Sequence, residues 1–212
     1  VLWLETAVQL IEFVWYAVVG ILYVFGHNLM KGGFNIGVEY RYIDWFLTTP
    51  TMLITLYFLL HYFDTPCLTN AQLTKKPSFV GFLILIIAFD WLMLLVGLAY
   101  EREWFKITTT SKEQQASRWP MLAGFAFLAA AFVPHYYTIN KTPTSEGVAL
   151  FAVTLVLWAI YGVVAMVWVG TDGDSLMKKN AAYNILDIFS KNAVGVVISI
   201  LTLTFSSAHG AC

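Results

Sequence analysis

The chain has 212 residues, 59% of them hydrophobic, 17% aromatic and 12% charged. Soluble domains carry about 25% charged residues, so the composition excludes a soluble globular class and indicates an all-α membrane protein. A net charge of −1, from 12 basic and 13 acidic residues, gives no basic field for nucleic acid. The two cysteines, Cys67 and Cys212, lack metal or redox spacing.

Six apolar stretches are long enough to cross a hydrocarbon core of about 30 Å, at about 20 residues each. They are Leu2–Asn28, Tyr42–Phe63, Phe79–Tyr100, Trp119–Ile139, Val148–Gly170 and Ala181–Phe205. A bundle of this size is a single domain, residues 1–212. The first residue is a valine with no basic segment before the first span, so a signal peptide is not expected and a missing N-terminal portion is.

The first span carries Glu5, Gln9, Glu12 and Tyr16 at helical spacing. Glu5 and Glu12, seven residues apart, lie about 10.5 Å apart along one helix face. A carboxylate row in hydrocarbon marks an ion or proton path, or else carboxyls kept neutral by their burial. Glu5 also reads as a solvated end residue, which Glu12 is too deep to be. In the second span Arg41, Asp44, Thr48, Thr51 and Thr55 form a polar stripe. Each threonine taken singly is as well explained by bonding back to the i−4 carbonyl. The third span buries Asp90, which needs a hydrogen-bond donor such as Thr49.

The last span carries Asn180, Asn184, Asp187 and Lys191 on one stripe, with Asn192 next in sequence. A lone lysine in hydrocarbon costs at least about 2.5–3.5 kcal/mol and marks a functional site. Asp187, four residues before it, shares its face. The two form either a structural ion pair or an imine-forming lysine with its counter-ion.

Turn chemistry separates the spans at Lys31-Gly32-Gly33, Asp64-Thr65-Pro66, Lys76-Pro77, Lys141-Thr142-Pro143 and 170–174, and the longest polar segment runs from Glu101 to Arg118. On alternating sides, one loop set holds Lys75, Lys76 and Lys141, and the other holds Lys31, Arg102, Lys106, Lys112, Arg118, Lys178 and Lys179. Positive-inside counting puts the second set in the cytoplasm. Trp3, Trp104, Trp119, Tyr136, Tyr137 and Trp168 read as interfacial anchors. His27, His61, His135 and His209 read as interfacial, without metal-ligand spacing.

The segment from Arg41 to Pro50, with Asp187-Ile188-Phe189-Ser190-Lys191, resembles the third and seventh helices of the microbial (type 1) rhodopsins. The resemblance runs over all six spans, as family helices two to seven. It implies a seven-transmembrane-helix retinal bundle, with six helices visible here and the first missing. It also implies all-trans retinal on Lys191 as a Schiff base, with Asp44 and Asp187 as counter-ions, Arg41 below them and Thr48 in the proton-transfer region. Trp45, Thr49, Met93, Gly97, Trp158 and Tyr161 would line the cofactor, and Thr49 with Asp90 would form the interhelical pair. Gly162 stands where the family usually has proline, Ala165 where a tryptophan often stands, and Thr55 where outward pumps carry a carboxylate donor.

Glu12 and Asn192 are similar to the central-gate pair of channelrhodopsins, with Glu5 extending the acidic row, and the whole looks like the viral rhodopsins. Carboxylates and amides in a row replace part of a cation's hydration shell. The resemblance therefore implies a light-gated cation channel rather than an enzyme, passing H+, Na+ or K+. The alternatives are an outward proton pump or a sensory rhodopsin. The expected setting is a multi-pass position in a lipid membrane as a homo-oligomer.

Overall fold

The computed structural model describes residues 1–29, 38–64, 77–102, 104, 119–141, 143–168 and 173–208. The turns at 31–33, 65–66, 76 and 142 lie outside them, as do Cys67, Lys75, Lys106, Lys112, Arg118, His209 and Cys212. The described residues are helical: α1 (Leu2–Leu29), α2 (Val38–Asp64), α3 (Pro77–Glu101), α4 (Trp119–Lys141), α5 (Ser145–Val167) and α6 (Gly173–Asp187). A π-helical segment, Ile188–Ala193, joins α6 to α7 (Val194–Ala208), and these three pieces make one span, Leu176–Phe205. Six helices are thus long and apolar enough to cross a membrane.

Neighbours in sequence pack side by side from α1 to α6, and the π segment and α7 close the ring against α1. Helix α2 also touches α4, α5 and α7, so it is the central rod. Its span is 67% buried, against 17–33% for the others. That is why the polar stripe read on α2 sits inside the bundle.

Backbone breaks are repaired locally. Pro50 has no N–H to give the Phe46 carbonyl, and the Trp91 indole on α3 takes that place at 3.1 Å. Thr144 caps α5 by accepting from the Gly147 N–H at 3.1 Å. Thr48, Thr49, Thr51 and Thr55 each donate to the carbonyl four residues earlier, at 2.7–3.0 Å.

Three expectations need correction. The last helix opens at Gly173 and its span at Leu176 rather than near Ala181, and Lys179 is buried in an ion pair instead of standing in a loop. Glu101, read as the first residue of a polar linker, is the buried partner at the end of α3. His135 is fully buried rather than interfacial, with Nε2 2.9 Å from the Leu53 carbonyl, because α4 runs on to Lys141. Trp3, Trp104, Trp119, Tyr136 and Tyr137 are exposed, as anchors in an interface would be.

Candidate functional site

Lys191 occupies the π segment, where widened backbone turns leave carbonyls off the regular ladder. Its own carbonyl accepts from Gln9 Nε2 on α1 at 3.3 Å. The side chain is buried and points at three acids from three elements. Asp44 Oδ2 is 2.6 Å from Nζ, Asp187 Oδ1 is 3.8 Å away, and Glu12 is in direct hydrogen bond. All three carboxyl groups are buried.

A second ring of contacts fixes these acids. Arg41 Nη1 reaches Asp187 Oδ2 at 3.1 Å, and its Nη2 donates to Asn184 Oδ1 at 2.8 Å. Tyr16 donates to Asp187 Oδ2 at 2.7 Å and Tyr161 to Asp187 Oδ1 at 2.6 Å. Ser190 lies 2.7 Å from the Tyr161 hydroxyl. Asp187 is thereby held by two phenols and a guanidinium, whereas Asp44 Oδ1 has no protein partner. Two cations against three carboxyls leave the cluster with acidic capacity to spare, which suits it to receive a proton.

Beside the lysine lies a cavity lined mainly by apolar and aromatic side chains. Trp45, Thr49, Met93, Gly97, Trp158, Tyr161 and Lys191 all line it. Tyr42, Met52, Met121, Gly124, Phe125, Leu128 and Tyr183 line it too, and sequence reasoning had not singled them out for the site. Of these, Phe125 accounts for the glycine at 162: a Cβ there would stand 2.6 Å from the Phe125 ring. The aromatic ring takes the room that a bulkier residue would need.

The remaining expected residues fall as follows. The Thr49 hydroxyl lies 2.8 Å from Asp90 Oδ2 and 2.7 Å from the Trp45 carbonyl, pairing the two helices. Thr48 is buried, but its hydroxyl serves the Asp44 carbonyl rather than the carboxylate. Glu5 is buried with its carboxyl facing Thr55. Asn192 is not brought to Glu12: its side chain is exposed on the outer face, because Lys191 takes the inward position of that turn and Glu12 bonds Lys191 directly. Among the described residues no group of three or more potential ligands could hold a metal ion.

The fold has relatives. By fold, the chain is similar to a viral rhodopsin, OLPVRII, with a TM-score of 0.64 at 23% identity, covering 96% of this chain and 81% of that one. It is equally similar to rhodopsin I of Acetabularia, with a TM-score of 0.64 at 21% identity, covering 95% and 80% respectively. Among curated proteins no sequence matches. A family model described as bacteriorhodopsin-like protein matches residues 1–205. With that match spanning nearly all of a six-helix membrane bundle built around a buried lysine, the chain belongs to the bacteriorhodopsin-like family.

Proposed function

We propose that the chain is a retinal photoreceptor that works as a light-gated cation channel. The family holds retinal on a lysine and includes photoreceptors, pumps and channels. Lys191 fits that role, because its amine meets three carboxyls and it forms part of the wall of a cavity lined by flat aromatic rings. The buried indole N–H of Trp45 has no protein partner, so that wall has a polar handle to spare for a bound group. Bound there, retinal supplies light absorption and an isomerisation that changes the proton affinity of the lysine nitrogen.

The protein's part is to receive the proton and to open a path. Asp44 lies nearest to the lysine among the acids with an ordinary hydrogen-bond distance, and one of its oxygens is unpartnered, so it is the acceptor. Asp187, held by Tyr16, Tyr161 and Arg41, stays as the fixed counter-charge. Losing charge between Lys191 and Asp44 frees Glu12 and loosens Arg41, the two residues that flank the cluster along the bundle.

The observation that carries the channel reading is the row of buried Glu5, half-buried Gln9 and buried Glu12 on α1, which continues into the Lys191 cluster and on to Arg41. Such a row replaces part of a cation's water shell. Asn192 stands outside it, so the gate is assigned to Glu12 with Lys191. One observation favours a second reading, an outward proton pump: the Glu5 carboxyl faces Thr55, supplying from α1 an acid that Thr55 lacks. Voltage clamp separates the two. A photocurrent that changes sign with membrane potential is expected, and a current of one sign at every potential would establish the pump instead.

A further inference from the structure

A second buried ion pair lies at the Arg41 end of the bundle. Lys179 Nζ is 2.9 Å from Glu101 Oε2, and both side chains are 1% exposed. Glu101 Oε1 also accepts from the hydroxyls of Tyr42 at 3.1 Å and Tyr183 at 2.9 Å. Both tyrosines line the cavity and meet Trp45 edge-on, with ring centroids 5.0 and 5.1 Å away. The Arg41 guanidinium lies 5.4 Å from the centroid of the Tyr183 ring and 5.9 Å from that of Trp45. Gly97, one turn before Glu101, makes the approach possible, since a Cβ there would stand 2.9 Å from the Tyr42 hydroxyl.

One carboxylate therefore orients two rings that serve both as cavity wall and as part of the platform under Arg41. A buried ion pair contributes little net stability relative to apolar residues of similar volume. Its hydrogen bonds do fix directions, because each donor must point at one oxygen.

We propose that Glu101 and Lys179 are positioning residues for the photoactive site: through Tyr42 and Tyr183 they set the Trp45 wall of the cavity and the seat of Arg41. This rests on the retinal reading above. Glu101 reaches the site through the two tyrosine hydroxyls, and Lys179 acts through Glu101.

The test compares wild type, the double variant Glu101→Met with Lys179→Met, the double variant Tyr42→Phe with Tyr183→Phe, and their combination. Folding is checked by circular dichroism. In retinal-free protein, the tyrosine bands in ultraviolet resonance Raman spectra are expected to lose the signature of donation to a carboxylate in the methionine variant. After addition of all-trans retinal, that variant is expected to show a shifted absorption maximum and an altered photocurrent decay. The phenylalanine variant is expected to reproduce both, with no further change in the combination. Lys179→Arg, which keeps the pair, is expected to keep the wild-type maximum. A folded methionine variant with wild-type colour and decay would overturn the proposal, as would additive effects. A wild-type chain that forms no visible band is a different failure, since it overturns the retinal reading and the proposal with it.

Discussion

At the scale of single residues, the site depends on buried charges set against one another. Lys191→Ala removes the amine from the cavity wall, and no visible band is expected when retinal is added to the purified variant. A surviving band would move the attachment elsewhere. Asp44→Asn keeps size and removes the nearer counter-charge, so positive charge on a retinal-bearing nitrogen would spread further along the conjugated chain. The absorption maximum is expected to move to longer wavelength, and a shorter one would deny Asp44 that role. Away from the charges, Thr49→Val strips the Asp90 carboxyl of its hydrogen-bond partner in a fully buried place. Leaving such a group unsatisfied costs about 1–3 kcal/mol, to be read as a lowered midpoint of thermal unfolding in detergent.

At the scale of elements, apolar length alone placed six spans, and the α2 stripe was legible because its polar residues repeat every three or four positions on an apolar rod. What one span does to another was not legible. Lys179 reads as a loop charge until Glu101, 78 positions earlier, is seen beside it. In the π segment the Lys191 carbonyl accepts from Gln9 Nε2 on another helix, a contact that no local pattern in 188–193 announces. Gly162 showed in the sequence only as a missing proline, and its meaning came from Phe125 on α4. That contact makes a prediction about two elements together. Gly162→Ala puts a methyl group 2.6 Å from the Phe125 ring, so the ring must swing into the cavity. Slower uptake of added retinal is expected, measured as growth of the visible band, and Phe125→Ala in the same chain should restore the rate. A Gly162→Ala protein with wild-type uptake would mean that the ring yields in another direction.

At the scale of the molecule, one line of buried and half-buried polar groups runs through the bundle, from Glu5 past Gln9 and Glu12 to Lys191, Asp187 and Arg41. The two ends of this line have different duties. Glu12 bonds Lys191 and so belongs both to the colour of the site and to the path. Glu5 lies one heptad away, faces Thr55 and makes no contact with the lysine among the described interactions, so it belongs to the path alone. Glu12→Gln is therefore expected to shift the absorption maximum and to cut the photocurrent. Glu5→Gln is expected to cut the current while leaving the maximum in place. A loss of about 1.4 kcal/mol of favourable interaction for the passing ion corresponds to a tenfold drop, which whole-cell recording at matched expression resolves. If Glu5→Gln instead spares the current carried by sodium and slows only the recovery of the dark-state absorbance, Glu5 is a proton donor to Lys191 and the molecule is a pump. The two outcomes exclude each other, because a donor acts once per turnover whereas a residue lining an open path meets every ion that crosses.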